Sequence, residues 1–207
     1  MGSTYEIDAT NAATDGRVPV VMSRGDEELV VNWVAMPDDP TRQPVQIFGS
    51  RDAGKPDILV AGSRNRREVS DRSGGRLCAV STTKSRSLFR TRWSVMDHQG
   101  TETFTLTERL IDGFWRRVVR PLPRSLRDGA PDPVSAVLLA PLFAILAVKP
   151  WCQLTIRDAS GHQQGVAQFA SNAKRPRDHL IVELSDPIAA PEGLLLAAAI
   201  AATSVMR

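Results

Sequence analysis

Two cysteines, three histidines and an aromatic content of 5% are all that 207 residues offer of the side chains that most often carry chemistry. Cys78 and Cys152 stand too far apart for a metal knuckle, and two cysteines do not make a disulfide framework. No Gly-x-Ser-x-Gly, no glycine-rich phosphate loop closed by Lys and no His/Cys/carboxylate metal spacing occurs. Catalysis is thereby left to a dispersed set of residues, such as Asp97-His98 near Glu102, and a turn explains that trio better. His98 and His162 each fall in or beside a turn, where exposure is the usual fate. The expectation is a protein that is not an enzyme, with no cofactor and no metal. The first eight residues, MGSTYEID, have neither a basic start nor an apolar run, so no secretory signal is read there. Glu6 stands where a myristoylation pattern needs Ser or Thr. The expected compartment is the cytoplasm.

Charge is nearly balanced at +3, and its placement is uneven. Residues 1–40 hold two basic groups against eight acidic ones, whereas residues 63–92 hold nine basic against two acidic. Such asymmetry suits an anionic partner or an acidic leader lying on a basic face; it also suits solvated strand faces. Residues 1–27 are polar with little to bury and read as a flexible leader. The length then favours one domain over 28–207.

That domain opens as a series of short strand patterns. Leu29 to Met36 comes first, stopped by Pro37-Asp38-Asp39-Pro40; Val45 to Phe48 and Ile58 to Ala61 follow. An Asp-x-x-Gly element then recurs between strand-like arms, at Asp71 to Gly74, Asp97 to Gly100 and Asp158 to Gly161. The Asp side chain can accept bonds from backbone two residues on, and Gly takes the positive φ of a tight reversal. In the middle copy Trp93 and Val95 alternate on one arm, Phe104 and Leu106 on the other. Three hairpins are expected. Turn chemistry accounts for the carboxylates without a metal.

Two stretches break this pattern. Val134 to Val148 is apolar except for Ser135, with Asp132-Pro133 as a helix start and Pro141 as a kink or stop. Gly193 to Met206 is the second, behind Pro191-Glu192. At ~1.5 Å per residue each makes a helix of roughly 21–23 Å, short of the ~30 Å bilayer core. A helix that is apolar all round must be enclosed by protein. The alanines at 197, 198, 199, 201 and 202 let strands approach its backbone, so the C-terminal helix reads as the plug of a sheet wrapped around it. The fold class is mainly β.

The segments Trp93 to Gly100 (WSVMDHQG) and Leu154 to Gly161 (LTIRDASG), with the strand His179 to Leu184 and the tail Leu194 to Ala202, resemble the Tubby C-terminal-like superfamily. Within it the branch of LURP-one-related proteins and phospholipid scramblases is nearest. The resemblance covers 28–207 and implies a twelve-stranded antiparallel β-barrel with an apolar C-terminal helix threaded through its centre. Scramblase-like members are associated with a calcium-binding acidic segment before that helix. The matching Asp178 to Glu192 lacks the alternating oxygen ligands and central Gly of a calcium loop, so that site is not carried over. The phosphoinositide-binding residues of Tubby proteins have no residue-by-residue match here.

Arg116, Arg117, Arg120, Arg124 and Arg127 lie within thirteen residues, interleaved with apolar groups and placed just before Val134 to Val148. Guanidinium groups grip phosphate bidentately, and a basic residue near anionic lipid contributes about 1 kcal/mol. Leu138, Leu142, Phe143 and Trp151, with Lys149 at the edge, form the pattern of an interfacial insertion. The expected activity is binding of anionic phospholipid at a membrane surface, with a peripheral place at the inner face of the membrane. A protein partner without lipid is the alternative, and a solvated arginine face beside a buried helix is the plainer reading. Nucleic acid is disfavoured because the few aromatics alternate inward like core residues.

Overall fold

Alternation at period two gives this chain its strands, because successive side chains of an extended backbone point to opposite faces. In His179–Leu184, for example, Leu180, Val182 and Leu184 are buried while Glu183 is exposed. The structure is a computed structural model and describes residues 2–8, 12–83, 91–114, 151–170, 179–185 and 191–204. Its strands are β1 (Ser3–Asp8), β2 (Arg17–Arg24), β3 (Glu27–Ala35), β4 (Val45–Phe48), β5 (Ile58–Gly62), β6 (Arg66–Asp71), β7 (Arg76–Thr83), β8 (Arg92–Met96), β9 (Glu102–Glu108), β10 (Trp151–Asp158), β11 (Gln163–Ala170) and β12 (His179–Leu184). Two described helices accompany them, α1 (Leu110–Phe114) and α2 (Glu192–Ser204).

Each strand pairs antiparallel with its neighbours in sequence, and β1 pairs with β12 from Ser3↔Leu184 to Asp8↔His179, which closes the barrel. Closure removes the free edges that an open sheet exposes. Because directions alternate, one rim carries the turns from even to odd strands, including all three Asp-x-x-Gly hairpins. At the opposite rim odd strands end and even strands begin, β9 and β10 among them.

The three hairpins share one geometry. The Asp N–H bonds the carbonyl four residues on, and the Gly N–H bonds the Asp carbonyl, at 2.9–3.2 Å. The Asp carboxylate accepts the backbone N–H two or four residues ahead, as from Ser73 and Gly75 at Asp71 and from Gln99 and Thr101 at Asp97. The glycines have φ of 84–86°, the left-handed region that a β-carbon disfavours. A ladder bulge stands beside each turn, as expected for a type I turn followed by a left-handed residue.

The expected flexible leader is corrected here. Residues 3–8 and 17–24 are β1 and β2, with Tyr5, Ile7, Val18 and Val20 buried in the core. Apart from the buried Ser3, their polar residues occupy the outward positions of alternating strands, which dilutes the apolar signal without removing it. The reversal before β2, Ala13 to Gly16, makes the same pair of backbone bonds as the Asp-x-x-Gly turns, with Ala in place of Asp.

The C-terminal helix lies inside, as its composition requires. Residues 195–202 of α2 are each 3% exposed or less. Two full turns buried on every side leave no solvent-facing stripe. They belong to one core with inward side chains from all twelve strands, and α2 runs closest to β5, β6, β7 and β12. At its end the hydroxyls of Thr203 and Ser204 donate to the carbonyls of Ala199 and Ala201 at 2.8 and 2.9 Å, so burying them leaves no donor stranded.

Arg67, on the inward face of β6 with Val69, is 1% exposed. Its guanidinium donates to the carbonyls of Val60 at 2.8 Å, Gly62 at 3.0 Å and Pro40. It ties the β3–β4 connection to the end of β5, and desolvation lowers its pKa from the usual arginine value. The segment Val134 to Val148 lies outside the described residues.

Candidate ligand-binding groove

Outside the barrel, β8, β9 and β10 bring together side chains that are far apart in sequence. Register aligns two rows across the three strands. Arg92 stands opposite Thr107, which stands opposite Thr155; Ser94 stands opposite Thr105, which stands opposite Arg157. The inward positions between them, Val95, Leu106 and Ile156 among others, belong to the core. The outward rows are therefore fixed by the same alternation that buries the barrel's interior.

Over these rows lies a cavity of about 470 Å³ whose walls include Arg92, Thr105, Thr107, Thr155 and Arg157, with Glu102, Asp158, Ala159 and Gly161 towards the hairpin rim. Arg92 Nη2 donates to Glu102 Oε1 at 2.8 Å, and Ser94 Oγ donates to the other oxygen of the same carboxylate. Arg157 Nη1 donates to the Gly161 carbonyl at 2.9 Å. Asp158 accepts from the His162 N–H at 2.9 Å and from Gln164 Nε2 at 2.8 Å. Each guanidinium is thus held at one point, and a guanidinium has five N–H donors. The lining contains two cations and two carboxylates, with three threonine hydroxyls between them. That mixture suits a ligand with both an anionic group and neutral hydroxyls better than a simple polyanion.

Both ends of the β9–β10 connection are pinned beside this groove. Asp112 of α1 is buried and accepts from the Gln153 N–H of β10 at 2.9 Å. The Arg109 N–H donates to the Gln153 carbonyl at 3.3 Å, while Glu108, also buried, accepts from the Thr91 N–H at 3.3 Å. Leu110 and Ile111 of α1 remain exposed, at 56% and 44%.

The arginines expected to bind phosphate, Arg116, Arg117, Arg120, Arg124 and Arg127, lie outside the described residues, as do Leu138, Leu142 and Phe143. Trp151 opens β10 opposite Ala170 in the backbone register. The basic stretch 63–92 is divided among environments: Arg67 faces the interior, Arg66 pairs with Glu68 at 3.3 Å, and Arg92 lines the groove. His98 is exposed at the β8–β9 turn, and His162 Nδ1 lies 3.7 Å from Asp158 with its side chain 80% exposed. Cys78 and Cys152 are buried and form no disulfide, and burial pushes the Cys78 thiol up to about 11, away from nucleophilic reactivity.

No family model and no curated protein matches this chain. The groove itself was missed in the sequence, since Arg92, Thr107 and Thr155 become one row only once register is known. The alternation TFTLT over 103–107 was its visible trace, read there for the core side alone. Among the described residues no helix is long and apolar enough to cross a membrane.

Proposed function

We propose that this barrel is a non-enzymatic binding module for the headgroup of an anionic phospholipid, seated in the β8–β9–β10 groove. The observation that carries the reading is the placement of Arg92 and Arg157 on the two outer strands of the groove, with Thr105 and Thr107 of β9 between them, in a cavity large enough for a phosphorylated polyol. The guanidinium groups supply phosphate contacts; the threonine hydroxyls and the two carboxylates suit ring hydroxyls. A second feature supports a lipid over a soluble phosphate. The chain between α1 and β10 holds the five arginines and the apolar run Val134 to Val148, and it connects two of the groove's three strands, β9 and β10. A headgroup in the groove would bring a membrane surface next to the roots of this segment, and the exposed Leu110 and Ile111 stand there. A barrel closed around its C-terminal helix also fits the Tubby-like resemblance, in which phosphoinositide recognition occurs.

Vesicle sedimentation at low salt tests the reading. Phosphoinositide-containing vesicles are expected to recover the protein and neutral phosphatidylcholine vesicles to leave it in solution. A hydrogen bond to a charged group contributes about 1.5–3 kcal/mol, so Arg92→Gln with Arg157→Gln is expected to weaken binding at least about tenfold. Arg116→Glu with Arg120→Glu separately tests the arginine run. Equal recovery on both vesicle types would rule the proposal out. The exposed pair Leu110 and Ile111 also favours a second reading, a protein-docking site. Retention of one partner irrespective of lipid, abolished by Leu110→Ser with Ile111→Ser, would favour it.

A further inference from the structure

Away from the groove, the seam that closes the barrel gathers three metal-ligating side chains. Glu6 and Asp8 are two residues apart on β1, hence on one face of the strand. That face is the outer one, because Tyr5 and Ile7 between and beside them are buried. His179 is paired directly opposite Asp8 across the β1–β12 ladder. Its Nε2 lies 2.9 Å from Glu6 Oε1, and one ligand atom from each of the three residues falls within 4.8 Å of the others. Glu6's cross-strand neighbours on either side, Val21 and Ile181, carry no charge.

We infer that Glu6, Asp8 and His179 bind one divalent transition-metal ion, which clips the first strand of the barrel to the last. Atoms about 2.1 Å from a common ion stand roughly 3.0–3.4 Å apart in octahedral or tetrahedral arrangements. The His179–Glu6 pair, at 2.9 Å, stands just under that spacing, and the Asp8 carboxylate lies within 4.8 Å of both. Two carboxylates and a neutral imidazole carry a charge that one divalent ion balances. The imidazole nitrogen selects for Zn²⁺, Mn²⁺ or Fe²⁺ over Mg²⁺ and Ca²⁺, which prefer all-oxygen sites. Three protein ligands leave further positions to water. Because the ligands come from opposite ends of the chain, only the closed barrel assembles them, so the ion stabilises the folded state by mass action.

Calorimetric titration of the chelator-treated full chain with Zn²⁺, alongside thermal unfolding, tests this. The expected result is one saturable site per chain and a Tm that rises with Zn²⁺ but not with equal Mg²⁺. His179→Gln, Glu6→Gln and Asp8→Asn should each weaken binding at least about tenfold and abolish the Tm rise. Cys78→Ser with Cys152→Ser, and the groove variant Arg92→Gln with Arg157→Gln, should leave both unchanged. Absence of saturable binding in the wild-type chain up to on the order of 1 mM, retention of binding in the three ligand variants, or its loss in the cysteine variant overturns the inference.

Discussion

Single carboxylates shape this protein at the hairpin rim. Asp71 and Asp97 are each held below the ordinary carboxylate range by hydrogen bonds made to the charged form. The Ser73 hydroxyl is the chief cause at Asp71 and the Thr101 N–H at Asp97. A folded-state pKa below the unfolded value stabilises the protein above the unfolded value, near 4, and that contribution fades as pH falls through the folded value. Asp71→Asn with Asp97→Asn keeps an oxygen acceptor in each turn but removes the charge. The double variant is expected to be less stable than the parent at neutral pH and to converge with it in acid. Urea midpoints measured across that range check the expectation; parallel curves would count against it. These turns were legible in the sequence because Asp and Gly are placed by local backbone chemistry alone. The turn at Ala13 to Gly16 makes the same backbone bonds with Ala in the first place; its turn signal is the Asp15-Gly16 pair, with Gly16 at a φ of 77°.

Among elements, α2 shows what composition can and cannot convey. An apolar helix too short for a bilayer and lacking a polar face has to be enclosed, and that inference needed no knowledge of the strands. Its alanines are the interface: Ala199 and Ile200 are both fully buried, so the barrel wall closes directly on the helix backbone. Ala199→Leu forces extra methylenes into a packed site and is expected to cost about 1–3 kcal/mol or more. Ile200→Ala opens a cavity and is expected to cost about 2–5 kcal/mol. Chemical denaturation of both variants measures these losses, and an unchanged midpoint for Ala199→Leu would mean that the wall does not contact the helix there. By contrast, α1 escaped sequence reading because five residues are too few to display a helical period. Its Asp112 nonetheless ties the end of β9 to β10 by accepting from the Gln153 N–H.

At the level of the whole molecule, closure depends on pairings that sequence patterns do not reveal. Most neighbours in the barrel are also neighbours in the chain, which is why alternating strands and hairpins could be read in order. The β1–β12 ladder joins the two ends of the chain, and both the seam cluster and the threonine rows exist only through register between distant segments. The polar N-terminal stretch was accordingly read as a leader although it supplies two staves of the wall. Deleting residues 1–24 separates the alternatives. A flexible leader would be dispensable, leaving a cooperative transition at the parent's midpoint. If β1 and β2 are structural, the deletion leaves β3 and β12 as open edges and uncovers the core around Val34, Leu180 and Val182. Unpaired edges and exposed apolar surface promote association. The expected outcome is loss of cooperative unfolding together with aggregation in sedimentation or light-scattering measurements, because no remaining strand can satisfy both edges and still surround α2.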